Sequence, residues 1–312
     1  MPIEAISRSR FGLTVDLVCT RLIVPPTNFQ GIVMKRTVVG AILIAGLAQL
    51  VATPAQAAPR VDPVKALQAA LTRGKGVNIV STVKVDQGRG FYYTVDVDGT
   101  VGFGPQGETA ADTSQRLRFS KTMMSGLKKL GMAEDAALEE TPLRVISSGY
   151  DDYVSGPQFA DALPQGTNWV RYSATDQPAS NPPLEVLEPA TLKALLAHRT
   201  SWRDGLVKGT IKADKLVKVS RSFASRFRGY SISKPVSTIS YTLRLSAAGL
   251  VERVTARGVL HHWKGSLLRV ESDTRYSGWG REVTVLLPLR GEVLDQEQLE
   301  GKVPYQVPGA FN

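Results

Sequence analysis

Residues 250–276 read LVERVTARGVLHHWKGSLLRVESDTRY. On an extended chain Leu250, Val254, Ala256, Gly258 and Leu260 fall on one side, and Arg253, Thr255, Arg257 and His261 on the other. Lys264 and Gly265 make a turn. Beyond it Leu268, Val270, Thr274 and Tyr276 separate in the same way from Arg269, Glu271, Asp273 and Arg275. Adjoining strands with one apolar and one charged face belong to an antiparallel sheet that meets water on one side only. Something has to cover the other side.

The same alternation extends outward from this pair. Ile239, Tyr241, Leu243 and Leu245 share one side of a strand that turns at Ser246 to Gly249, and Val77, Ile79, Val83 and Val85 do so near the N-terminus. Gln87 to Gly90 turns that strand into Phe91 to Val97, and Asp98-Gly99 reads as a second turn into Val101 to Phe103. Residues 105–120 carry no clear period. Leu143 to Ser147 and Tyr150 to Ser155 are extended. Pro164 and Gly166 suit the second and fourth positions of a turn leading to Trp169–Tyr172. Val283, Val285 and Leu287 read as a last strand, stopped by Pro288.

Short helices lie between these runs. Asp62-Pro63 is an N-cap followed by proline, with Val64, Leu67 and Leu71 at helical spacing. From Ser120, Met123, Leu127 and Leu130 recur at i, i+4 and i+7, and Gly131 ends the run. Glu188-Pro189 opens a helix with Leu192, Leu195 and Leu196 on its face, and residues 212–227 are a weaker helical stretch. These helices are the cover available to the sheet. The expected fold class is α+β: one curved antiparallel β-sheet, an incomplete β-barrel, with short helices covering its concave apolar face, in a single domain over residues 58–312.

The N-terminus stands apart from that domain. Met34 to Arg36 is a positive n-region, Val38 to Ala48 an uncharged apolar run, and Ala55-Gln56-Ala57 an A-x-A cleavage site. Residues 34–57 are therefore read as a secretory signal peptide, against the alternative of a retained anchor helix. Residues 1–33 are an over-long start, or a lipoprotein signal ending at Cys19, which Asp16 interrupts. Cleavage near Ala57 removes the one cysteine and makes the protein secreted or extracytoplasmic. It also removes five basic and two acidic residues from totals of 38 and 28, leaving a net charge of +7. Outside the cytoplasm that balance either serves solubility, since no block of five like charges occurs, or suits anionic membrane or wall surfaces rather than nucleic acid.

No enzyme class follows from the residues. There is no G-x-S-x-G elbow, and the adjacent His261-His262 and Asp151-Asp152 point to opposite faces of strands, so neither pair makes a metal site or an acid/base pair. Asp96 to Gly99 lacks the flanking carboxylates of a calcium loop. No cofactor is expected. What remains is apolar surface, either a filled core or a cavity that the helices leave open. For a cavity the expected wall is Met123, Leu127, Tyr153, Trp169, Leu192, Leu195, Tyr241, Leu243, Val254 and Leu260. Met124 is expected to face the sheet beside Met123.

Several runs also carry a family resemblance: YDDYVSG at 150–156, the Pro164, Gly166 and Trp169 pattern, GLVKGT at 205–210, GLVERV at 249–254 and YSGWG at 276–280. With the export signal and the short first helix, the chain resembles the LolA-like envelope proteins of actinobacteria, similar to the LppX and LprG lipoproteins. The resemblance implies an open barrel with a helical lid that shelters acyl chains, without chemistry or cofactor, in a monomeric lipid carrier. Those relatives are tethered by a lipidated cysteine, whereas this chain has Ala57-Ala58 at the cleavage site. The alternative to a carrier is a structural or envelope-sensing interaction domain with a solid core and no ligand.

Overall fold

In the computed structural model of the chain the described residues are 61–129, 141–173, 175, 182–227, 237–261, 267–299 and 303–307. The proposed start and signal segments, Leu130, Gly131 and His262 lie outside them. Twelve strands form one sheet: β1 (Lys75–Asp86), β2 (Tyr92–Gly104), β3 (Gly107–Phe119), β4 (Leu143–Ser148), β5 (Asp151–Ser155), β6 (Trp169–Tyr172), β7 (Arg199–Arg203), β8 (Leu206–Lys212), β9 (Thr238–Leu245), β10 (Val251–His261), β11 (Leu267–Glu282) and β12 (Val293–Asp295). Their spatial order is β12-β6-β5-β4-β3-β2-β1-β11-β10-β9-β8-β7. The ladders are antiparallel except for the parallel β12–β6 pair, and the two ends of the order do not meet. The sheet is curved and unclosed, as the α+β reading expects.

Among the described residues five α-helices accompany it: α1 (Pro63–Ala70), α2 (Lys121–Lys129), α3 (Pro189–Ala197), α4 (Ala213–Val219) and α5 (Arg221–Arg226). The Asp62 carboxylate caps α1, accepting from the Val64 N–H at 2.9 Å, and Pro63 occupies the position where no N–H is needed. The weak helical stretch 212–227 is two helices, because Ser220 ends α4 and its Oγ accepts from the Phe223 N–H at 3.1 Å to start α5. Alternate residues of β1, β10 and β11 are buried, and with the inner faces of the helices they make one continuous hydrophobic core.

Several local expectations are corrected. Asp98-Gly99 is not a turn; β2 runs straight through it. A Cβ on Gly99 would sit 2.2 Å from the Asp112 carbonyl oxygen, so the glycine serves a close approach of β2 to β3. The turn falls instead at Pro105-Gln106, and the unassigned stretch after it is β3. A register shift between Val251 and Arg253 puts Val251 and Val254, three apart, both inside, and leaves Leu250 partly exposed. Residues 199–212 form the β7–β8 hairpin about Asp204-Gly205, which the alternation did not reveal. The Thr167 N–H bonds to the Pro164 carbonyl at 3.1 Å, so Pro164 opens the turn, and Gly166 takes the left-handed φ of +89° inside it. The strand expected at Val283, Val285 and Leu287 does not form: residues 283–289 belong to no strand, although the Val283 N–H bonds to the Gly74 carbonyl at 3.1 Å, and Leu286 and Leu289 are more than 70% exposed.

Candidate ligand-binding face

The apolar face gathers eight of the ten expected wall residues. Leu127, Leu192, Leu195, Leu243 and Val254 are 0% exposed, and Met123, Tyr241 and Leu260 are at most 3% exposed. All eight belong to the one core. Met123 and Leu127 project from α2, and Leu192 and Leu195 from α3. The helical period carries Met124 away from that line, and it stands half-buried at the outer surface.

Tyr153 and Trp169 do not join them. In β5 the inward residues are Asp152 and Val154, and in β6 they are Val170 and Tyr172, so the odd-numbered partners face out. Trp169 lies under the Arg144 guanidinium, 5.7 Å from the ring centroid. It therefore belongs to the charged face, beside the Arg171–Asp295 ion pair that joins β6 to β12. The period of two separates Trp169 and Arg171 from Val170 and Tyr172, and it is the second pair that faces in, so Trp169 is not a wall residue.

One tie fastens the cover to the sheet. The Tyr241 hydroxyl donates to the Leu195 carbonyl on α3. Gly209 makes room for it, since a Cβ there would meet that hydroxyl at 2.2 Å. Burial pushes the Tyr241 phenol up to about 12, so it remains a donor at any ordinary pH.

The interior also holds polar groups that the strand pattern did not single out. Along the middle strands most satisfy one another. The Ser81 and Thr274 hydroxyls bond at 2.8 Å, Thr113 donates to the Val145 carbonyl, and Ser147 donates to Asp152. Burial, with Asp151 beside it, raises the Asp152 carboxyl despite hydrogen bonds from Ser147 and Thr175 that act against this.

A second group is less complete. The segment Pro182–Leu187, leading into α3, is buried and carries Glu185. Glu185 Oε1 accepts from the Leu187 N–H at 3.0 Å, while Oε2 has no partner from the described chain. Arg226 of α5, 4% exposed, donates to the Pro182 carbonyl. Glu188 accepts from both the N–H and the hydroxyl of Ser222, which locks the start of α3 to α5. Tyr276 of β11 feels the charges of Glu185, Glu108 and Arg226, and its hydroxyl also lacks a partner. Ser272, four residues back along β11 on the same face, also has a hydroxyl without a partner from the described chain.

Burial holds the Glu185 carboxyl well above the ordinary carboxylate range, and the negative charges of Glu108 and Glu188 add to this. Burial lowers Arg226 only to about 10, so its guanidinium stays charged at neutral pH. The sequence signal for this group was slight: Glu185 lies in the polar, Pro-rich stretch 174–186, which reads as a surface loop, and Arg226 in the basic, Ser-rich helical stretch 212–227.

This arrangement can hold an aliphatic chain along leucine and valine side chains, and a polar group near Tyr276 and Glu185. Among the described residues no group of three or more His, Cys, Asp or Glu is placed to hold a metal ion, and no helix is long and apolar enough to cross a membrane.

No protein-family model matches the chain, and no curated protein matches it. Among solved structures it is similar to a LolA superfamily protein, NE2245 from Nitrosomonas europaea, at 11% identity and a TM-score of 0.26, over 71% of this chain and 93% of that one. Nothing about this chain's function is taken from a likeness of that size.

Proposed function

We propose that this chain binds a hydrophobic ligand with a polar group, a lipid or acyl chain, between the apolar face of its sheet and the helices above. In this reading it is a LolA-like, non-enzymatic carrier, exported through a signal peptide at residues 34–57 and working as one domain over residues 58–312. The observation that supports it is the incomplete polar set inside the core. Tyr276 OH and Glu185 Oε2 are buried without partners from the described chain, near the buried Arg226, and Ser272 Oγ is likewise unpartnered farther along β11. A helical plug would be at least as stable with apolar side chains there. A ligand's polar group, or water in its absence, would supply the missing partners. The energetics allow it: burying a sixteen-carbon chain is worth on the order of 12 kcal/mol gross, before the costs of ordering.

A second reading, an interaction domain with a solid core, is favoured by a different observation. Leu127, Leu192, Leu195, Leu243 and Val254 have no exposed surface, so no void the size of a water molecule touches them. Around these five residues there is no space for a chain, and in the carrier reading the cover has to lift, breaking the Tyr241–Leu195 tie.

Native mass spectrometry of protein purified without detergent separates the two readings. The carrier reading expects adducts of lipid mass that disappear on organic extraction, with the lipid recovered in the extract. Identical spectra before and after extraction would leave the solid-core domain standing.

A further inference from the structure

Residues 116–129, RLRFSKTMMSGLKK, carry five cations and no carboxylate. They form the end of β3 and the whole of α2. Because Met123 and Leu127 turn inward, Lys121, Lys128 and Lys129 turn outward, and all three are exposed. They stand around an open groove of about 610 Å³ floored by Phe119 and Met124, both half-buried. Asp96 takes Arg118 as its partner, but among the described residues no carboxylate pairs with the three lysines. The turn between β1 and β2 lies beside α2, since a Cβ on Gly90 would meet Thr122 at 3.2 Å, and it adds the exposed Arg89 to this end of the sheet.

The layout decides the kind of anion. A compact phosphate site would converge several donors on one point. Here Lys121 and Lys128 stand about 10 Å apart along the helix axis, over an apolar floor. Lysine stems lie along apolar surface while their ammonium groups reach outward. Dispersed cations around an apolar strip match an anionic bilayer, whose headgroups are many and whose acyl boundary is apolar.

We propose that this end of the sheet docks onto an anionic lipid bilayer, with Lys121, Lys128 and Lys129 on the headgroups and Phe119 and Met124 at the acyl boundary. It deepens the carrier reading, because a lipid carrier must meet a membrane. Its test does not read bound lipid, so either idea can fail alone.

The test is co-sedimentation of the full chain with vesicles of phosphatidylcholine alone, and of phosphatidylcholine and phosphatidylglycerol in equal parts. The wild type should bind the anionic vesicles, lose that binding as salt rises, and ignore the neutral ones. At about 1 kcal/mol per basic residue near an anionic surface, Lys121→Ala/Lys128→Ala/Lys129→Ala should bind on the order of a hundredfold more weakly. Its thermal unfolding midpoint should be unchanged, since all three side chains are exposed. Should that variant fold poorly, Lys128→Gln/Lys129→Gln should still lose binding by tenfold or more. Equal binding of wild type to both vesicle types, or a lysine variant that binds like wild type, overturns the proposal. So does a wild type that binds neither.

Discussion

The two halves of the interior are built differently. Under α3 and α4, the face of β8, β9 and β10 is aliphatic and aromatic, with Val207, Leu243 and Val254 fully buried and Tyr241 as its one polar tip. Across β11, β1, β3 and β5 the same face carries Thr274, Ser81, Thr113 and Asp152, all buried. The first half is held by close packing, in which each methylene counts. The second half sets polar pairs among its buried aliphatic residues, such as Ile79, Val83 and Val145, and a buried polar group is stable only with a partner. The unpartnered Tyr276, Ser272 and Glu185 mark where that second scheme is unfinished.

The comparison breaks first, and by the largest amount, at the packed half. Leu195→Ala deletes a fully buried side chain between α3 and the sheet, and should cost about 2–5 kcal/mol in chemical denaturation. A cost under about 1 kcal/mol would mean that this half is loosely filled, and would move the ligand site beneath α3.

A smaller and pH-dependent effect is expected at the unfinished half. Glu185→Gln keeps the acceptor for the Leu187 N–H and removes the titrating proton. The native carboxyl titrates well above its unfolded range, so between the two the native state binds more protons than the unfolded chain. Stability from this group is therefore present below the ordinary glutamate range and is lost as pH rises above it. Relative to wild type, the Gln variant should gain stability from pH 5 to pH 8, read as a widening gap between denaturation midpoints. A gap independent of pH would show that Glu185 is ionised in the folded protein.

How far the sequence carried the reading follows the same division. The packed half was legible because its residues alternate over long strands: 239–245 and 254–260 both predict their inner faces. The Asp62 cap and Pro189 likewise marked their helices. The middle was harder, because Ser81, Thr113 and Ser272 are interior residues of a type ordinarily found outside. In β3 polar residues occupy both faces, so no period stands out over 105–120. Glycine misled in one place, since Gly99 serves close strand contact rather than a turn. The ionisable group around Glu185 could not be foreseen, because its members come from β3, the segment before α3, α5 and β11, and meet only in the fold.

Trp169 tests the outer boundary of the comparison, where the smallest effect is expected. From sequence it was a candidate for the wall, where its loss would cost as much as a core aromatic. The structure places it on the charged face, partly exposed, with Arg144 over its ring and that arginine also held by Asp112 at 2.8 Å. Removing the ring leaves the arginine its carboxylate and opens no cavity in the core. What is lost is a cation–π contact of about 0.5–1 kcal/mol and some partly buried ring surface. Trp169→Ala should therefore shift the denaturation midpoint by about 1 kcal/mol, and should leave any co-purified lipid unchanged. A loss of 3 kcal/mol or more, or a loss of lipid at unchanged stability, would return Trp169 to the inner face and reverse the orientation assigned to β6.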